Sequence, residues 1–437
     1  MSHSDLDDAA RAVLRGNDRG GYTVPTEGLY PYQWNWDSAL AAWGFSTFDA
    51  DRAWVELETL MAGQWASGMV PHILFHRDDP GYFPGPEVWA TGTTPPSSGI
   101  TQPPVAATMA RLVWEADEAA GRDRIAALYP RLLAWHRWFM EHRVRDGAVC
   151  VTHPWESGRD NCPDWDVGMA GVDASGVGPY RRRDTGHVDA SMRPTKAEYD
   201  RYVAILEFGR SVGWDAARVV AEGPFLMADP GSHFILMRAN DDLAWIAARL
   251  GEDASEVEGW APVLRAGCDA IWNERLGAYD ARDMRSGRFA DVLGSGAFLA
   301  YCADAGRPAL DAHLRRAWDA VRYGLPSSDP HGPHFEPRRY WRGPMWPFLN
   351  ALIARGLALS GKDAEAERLR AETEAAIRAG GFHEYFDPLD GTPCGGPAFT
   401  WTAAVWLAWA GRGPGAGAGP DGGRGPDGGR GPDGGAG

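Results

Sequence analysis

The sequence predicts an all-α protein folded as an (α/α)6 barrel, with inner helices wrapped by an outer ring. Three observations point there. Apolar residues recur at helical spacing along the whole chain, over 5–17, 36–47, 50–66, 103–120, 123–144, 195–213, 235–251, 255–275, 290–304, 307–323, 345–360, 362–379 and 399–411, with few strand signals. Neighbouring helices are joined by turns of a few residues, such as Ala119-Ala120-Gly121-Arg122 and Ser360-Gly361-Lys362, and short links force antiparallel hairpins. Between about six such pairs the chain returns through long Gly/Pro-rich connections, which would gather at one end of the barrel.

Each region follows from its composition. No linker rich in Pro, Ser or charge divides residues 20–411, so 1–411 reads as a single domain. From Arg412 the chain collapses to Gly-Pro-Asp-Gly-Gly-Arg repeats that lack apolar residues and the three-residue glycine period of collagen, so 412–437 is expected to be a disordered tail. The balance of 43 basic against 59 acidic side chains, a net charge of −16, disfavours nucleic acid and anionic membranes as partners. Five scattered cysteines without a C-x-x-C pair predict buried free thiols, neither a disulfide framework nor a zinc site. No run of about 18 apolar residues occurs and no apolar stretch follows the acidic start, so a cytoplasmic protein is expected. Oligomeric state is left open.

Two distant segments carry the chemistry. Trp155-Glu156-Ser157-Gly158-Arg159-Asp160-Asn161 and Phe382-His383-Glu384-Tyr385-Phe386-Asp387 each set carboxylates among aromatic rings. Such surroundings desolvate a carboxyl group, raise its pKa and press it against a sugar ring, and two of them point to glycoside hydrolysis. A third segment, Gly28 to Ser38, packs Tyr30, Gln33, Trp34, Trp36 and Asp37 just before a helix. It reads as a sugar subsite, Trp34 or Trp36 stacking while Gln33 and Asp37 meet hydroxyls. A first-turn or N-cap carboxylate is the alternative role for Asp37. The acidic run Glu156, Asp160, Asp164, Asp166 is not an EF-hand loop, because Pro163 interrupts it and no glycine or terminal Glu falls at the required offsets. Two histidines in His331-Gly332-Pro333-His334 lack a third ligand, so no metal is assigned and no cofactor is called for.

The Glu-Ser-Gly-x-Asp element around Asp160 is similar to the general-acid motif of trehalases and of glycoside hydrolase family 63. The Glu384-Tyr385 element with its Gly-rich sequel resembles the family's base motif, Trp341-Arg342-Gly343-Pro344-Met345-Trp346 its Trp-Arg-Gly-Pro-x-Trp element, and Gln33 to Asp37 its first sugar-binding loop. The resemblance spans residues 28–404 and implies an (α/α)6 barrel that hydrolyses with inversion, Asp160 as acid and Glu384 as base. An inverting pair stands roughly 6.5–9.5 Å apart, leaving room for the attacking water.

Among members of this family, chains of this length are most similar to the compact bacterial mannosylglycerate and glucosylglycerate hydrolases. That likeness implies contacts to a glycerate carboxylate from Tyr30, Tyr82, Gln102, Arg193, Tyr199 and Tyr340, with Trp341 and Trp346 also at the substrate. A neutral substrate, as in a trehalase or oligosaccharide α-glucosidase, is the alternative, and a sugar epimerase or a silent sugar-binding protein stands further off. The gluco or manno choice turns on one hydroxyl and stays open. So does the cluster Arg181-Arg182-Arg183, which either attracts an anion or forms a solvated face.

Overall fold

Six segments close a ring around the molecular axis: Asn35–Phe45, Ala106–Ala116, Pro230–Leu250, Ser295–Ala303, Pro347–Leu359 and Thr400–Ala408, each packed on the next and the last on the first. The computed structural model describes residues 2–186 and 188–413. Outside the ring lie His3–Asn17, Ala50–Ala62, Glu118–His142, Ser255–Ala270, Pro308–Asp319 and Asp363–Gly380, each packed on an inner partner. The first outer helix, His3–Asn17, pairs with the last inner one, Thr400–Ala408, so the two ends of the fold complete one hairpin between them. This is the (α/α)6 barrel that the periodicity predicts. The repeats from 414 onward lie outside the described residues.

Burial separates the two rings. Every residue of Asn35–Phe45 except Trp43 is buried, as a helix surrounded by protein requires, whereas Asp363–Gly380 buries only Leu369, Arg370, Thr373, Ala376 and Ile377 along one stripe. Caps fix the ends. Asp229 accepts from the N–H groups of Gly231 and Ser232 with Pro230 at the first helical position, and Thr195 with Glu198 forms a capping box for Lys196–Ser211.

The structure corrects the sequence reading in three places. The turn expected at 119–122 is instead the single residue Asp117, which ends one helix and caps the next by accepting from Ala120 N–H (3.1 Å). Gly121 is helical, and it is glycine because a Cβ would stand 2.8 Å from the Trp54 ring and 2.9 Å from Trp114. The fourth inner segment is a 3-10 helix starting at Ser295, five residues later than expected. Ala216–Glu222 is an additional helix in the long connection 143–229, which also contributes strands to a four-stranded antiparallel sheet completed by Arg282–Asp283. Among the described residues no helix is long and apolar enough to cross a membrane, and all five cysteines are free and buried.

The seam between the first and last inner helices is a glycine contact: a Cβ on Gly44 would lie 2.6 Å from Ala404 Cβ. Helix propensity alone makes Gly→Ala stabilising by about 1 kcal/mol, yet overlap in a packed core costs about 1–3 kcal/mol. Gly44→Ala is therefore expected to lower the urea midpoint, while Gly259→Ala, in an outer helix with open space around it, raises it. Equal shifts in the two variants would show that the seam is not tightly packed.

Candidate active site

Because every inner-to-outer turn is short, at 46–49, 117, 251–254, 304–307 and 360–362, the inner segments all run the same way. Their N-terminal connections meet at one end, around an open cleft with an empty volume of about 930 Å³. Asp160, Glu384 and Asp37 all face the cleft, with Tyr30, Trp34, Trp36, Tyr82, Gln102, Arg193, Tyr199 and Tyr340.

Asp160 comes from the loop between Ala148–Val151 and the inner helix at Pro230. A 3-10 turn, Pro154–Ser157, ends at Gly158 with φ +67°, where a Cβ would stand 2.2 Å from the Trp36 ring, so only glycine lets this loop lie on Trp36. The next residue anchors the loop from behind: buried Arg159 donates to Asp229 Oδ1 (2.5 Å), the cap of the inner helix, and Tyr202 Oη donates to the Asp160 carbonyl (2.7 Å). The other carboxylates of the run are spent elsewhere. Glu156 is buried against Arg143 (2.8 Å) and Thr152, Asp164 faces Arg159 (3.5 Å), and Asp166 pairs with Arg342 (2.6 Å). Burial pushes the Asp160 carboxyl up to about 7, with Glu384 and Asp184 adding to the rise and Arg193 opposing it.

Glu384 is fully buried at the root of the strand pair formed by Tyr385–Phe386 and Pro393–Cys394. Its Oε1 accepts from Tyr30 Oη (3.0 Å) and its Oε2 from Arg193 Nη2 (3.1 Å) and Gly396 N–H (3.1 Å). Gly395, at φ +72°, passes so close that a Cβ would lie 2.3 Å from Oε2. Asp37, in the first turn of Asn35–Phe45, is also buried, and its Oδ1 has no partner among the described residues. Burial, then the nearby Glu384, raises its pKa well above the ordinary range. The Gln102 amide is oriented by Trp36 N–H, which donates to Oε1 (3.1 Å) and leaves Nε2 as the remaining donor group.

Three predicted residues lie behind the wall instead of on it. Gln33 is buried in a network with Ser38 (2.9 Å) and His76 (2.6 Å). The strand Gln33–Trp34 alternates sides, so Trp34 reaches the cleft and Gln33 does not. Trp341 and Trp346 are fully buried and stacked on one another, centroids 3.7 Å apart and planes within 7°, where they support Trp36 and Tyr340 from below. Trp165 likewise packs inward, on Phe225.

Other lining residues escaped the sequence reading. His72, neutral through burial and held at Nδ1 by Ser98 (2.7 Å), sits among the cleft residues with Trp89 and Trp155. Nothing near it in sequence marks it. The arginine cluster had a visible signal but no partner: Arg182 is bidentate to Asp184 (3.0 and 2.6 Å) with its guanidinium 4.1 Å over the Tyr199 ring, and Arg183 reaches Asp79 (2.8 Å) on another loop. Both border the mouth of the cleft, each engaged with a carboxylate.

Carboxyl groups set in an aromatic cleft at the open end of an (α/α)6 barrel define a glycoside hydrolase. Residues 30–402 match the family described as the mannosylglycerate hydrolase MGH1-like glycoside hydrolase domain, and the chain belongs to that family. It is 45% identical over 415 residues to mannosylglycerate hydrolase MGH2 of Selaginella moellendorffii, covering 92% of this chain and 85% of the relative. It is 37% identical over 442 residues to the glucosylglycerate hydrolase of Mycolicibacterium hassiacum, covering 92% and 97%. The crystal structure of the family 63 mannosylglycerate hydrolase from Thermus thermophilus in complex with Tris and D-glycerate superposes with a TM-score of 0.89 at 44% identity, over 92% of this chain and 99% of that one.

The raised pKa of Asp160 has a measurable consequence. A carboxyl that titrates near 7 when folded and near 3.8 when unfolded leaves its stabilising share intact below about pH 4 and loses it as pH rises through 7. Asp160→Asn is expected to melt higher than the wild type at pH 8, by a margin that shrinks towards pH 4. A difference in Tm independent of pH would mean that Asp160 titrates normally.

Proposed function

We propose that this enzyme hydrolyses the α-glycosidic bond of mannosylglycerate or glucosylglycerate with inversion, releasing hexose and glycerate. The observation that carries the reading is the contrast between the two carboxyl groups in one cleft: burial raises Asp160 to about 7, whereas Glu384 is ion-paired to Arg193. Asp160 is the acid that protonates the leaving oxygen. Glu384 is the base that takes a proton from water as it attacks the opposite face of the anomeric carbon. Trp34, Trp36 and Asp37 hold the sugar. Tyr30, Tyr82, Gln102, Arg193, Tyr199 and Tyr340 surround the aglycone, and the relatives' substrates, with the glycerate in the Thermus complex, support an acidic one. Residues 1–411 form the catalytic unit, and five buried free thiols fit a reducing, cytoplasmic setting.

One observation bears on the second reading, a neutral α-glucoside: the charge of Arg193 is already shared with Glu384, although its Nε has no partner among the described residues. A hydrolysis screen over mannosylglycerate, glucosylglycerate, a glycosylglycerol and trehalose decides between them, and preference for the neutral substrates would reject the acid reading. Followed by NMR, the sugar should appear first as the β-anomer. Asp160→Asn and Glu384→Gln are each expected to lose about 10²–10⁴-fold in kcat, and near wild-type turnover would strike that residue from the mechanism. Removing residues 414–437 should leave both kcat/KM and Tm unchanged, and a fall in either would show that the tail belongs to the working enzyme.

A further inference from the structure

The loop that carries Asp160 is held at both ends by one residue that does not itself line the cleft, Tyr202. Tyr202 lies on the helix Lys196–Ser211, one turn after Tyr199, so the two rings share a face. Its ring is buried among His153, Trp155 and Tyr199, with centroids 5.9, 5.6 and 5.8 Å away. Its backbone carbonyl accepts from His153 Nε2 (3.0 Å), and its hydroxyl donates to the carbonyl of Asp160 (2.7 Å). The histidine donates there because its Nδ1 accepts from Trp155 N–H (3.0 Å), which puts the proton of the neutral ring on Nε2. The span from His153 to Asp160 thus begins and ends on Tyr202.

The helix is a firm support for that clamp. Thr195 and Glu198 close its N-terminus with a capping box, and the Glu198 carboxylate also pairs with Arg339 (2.9 Å), next to Tyr340. The Asp160 carboxyl, by contrast, takes no hydrogen bond from another side chain among the described residues, so its direction is set by its own backbone. A general acid has to stay within hydrogen-bond reach of the oxygen it protonates, and a small misplacement lowers the rate steeply. We propose that Tyr202 is a positioning residue for the proton donor: its hydroxyl fixes the Asp160 peptide and so aims the carboxyl at the glycosidic oxygen. This rests on the reading of Asp160 as the acid. Burial holds the phenol's pKa well above its ordinary value, which keeps it a donor.

An α-glycosyl fluoride separates the aiming of the acid from the rest of the reaction. Its C1–F bond breaks with the electron pair leaving as fluoride, which needs no proton, while water oxygen bonds to C1 and Glu384 takes a proton from that water. Tyr202→Phe removes one oxygen and keeps the ring. On whichever glycerate glycoside the wild type cleaves, its kcat is expected to fall roughly tenfold, the upper range of what one neutral hydrogen bond is worth, with fluoride release changed by less than about twofold. Tyr279→Phe is the matched control, because Tyr279 Oη makes the same kind of bond, to the Ala305 carbonyl (2.7 Å), and does not line the cleft. It should leave both rates unchanged. Equal losses on the two substrates in Tyr202→Phe, no loss on the glycoside, failure of that variant to fold, or a glycoside-selective loss in Tyr279→Phe would each overturn the proposal. Asp160→Asn probes the underlying reading on the same two substrates: equal losses there would remove Asp160 as the acid. A glycoside-selective loss in Asp160→Asn without one in Tyr202→Phe sinks only the role of Tyr202.

Discussion

The direction of the inner ring constrains everything else. A turn of a few residues can only reverse the chain, so each inner segment hands over to an antiparallel outer helix, and the return to the ring needs a longer path. Five such turns, with His3–Asn17 and Thr400–Ala408 making the sixth pair, bring all the inner N-termini to one end. The residues that line the cleft come from loops far apart in the chain, Tyr30 and Glu384 among them, and they meet because the ring closes with Thr400–Ala408 packed on Asn35–Phe45.

Closure also buries the floor of the site, and burial gives the carboxyl groups different properties. Asp37 and Asp160 are both raised first by burial, and Glu384 adds to the rise in each, while Arg193 opposes it at Asp160. The guanidinium of Arg193 is paired with Glu384, and the two carboxyl groups without an ion pair are the ones shifted towards their neutral forms. The difference between the carboxyl groups is in this way a property of the whole cleft floor.

Glycine sets the close approaches on which that floor depends. Gly158 lets the Asp160 loop lie on Trp36, and Gly395 lets the hairpin return alongside Glu384, each with a positive φ and with no room for a Cβ. Behind them the stacked Trp341 and Trp346 form a backing that does not line the cleft.

The sequence by itself determined the barrel, its helix pairs and the two carboxylates, because helical periodicity, short turns and aromatic-flanked acidic motifs are local patterns. It also singled out Asp160 from Glu156, Asp164 and Asp166, though by resemblance to a motif and not by physics: four acids so close together look alike until Arg143, Arg159 and Arg342 are seen to take the other three. Only the tertiary structure decided what faces inward. It withdrew Gln33, Trp341 and Trp346 from the cleft and added His72. It also engaged Arg182 and Arg183 at the mouth and joined Arg193 to Glu384. These are choices of side-chain direction and of partners distant in the chain. No one-dimensional spacing encodes them, because burial and charge pairing exist only once the loops have met.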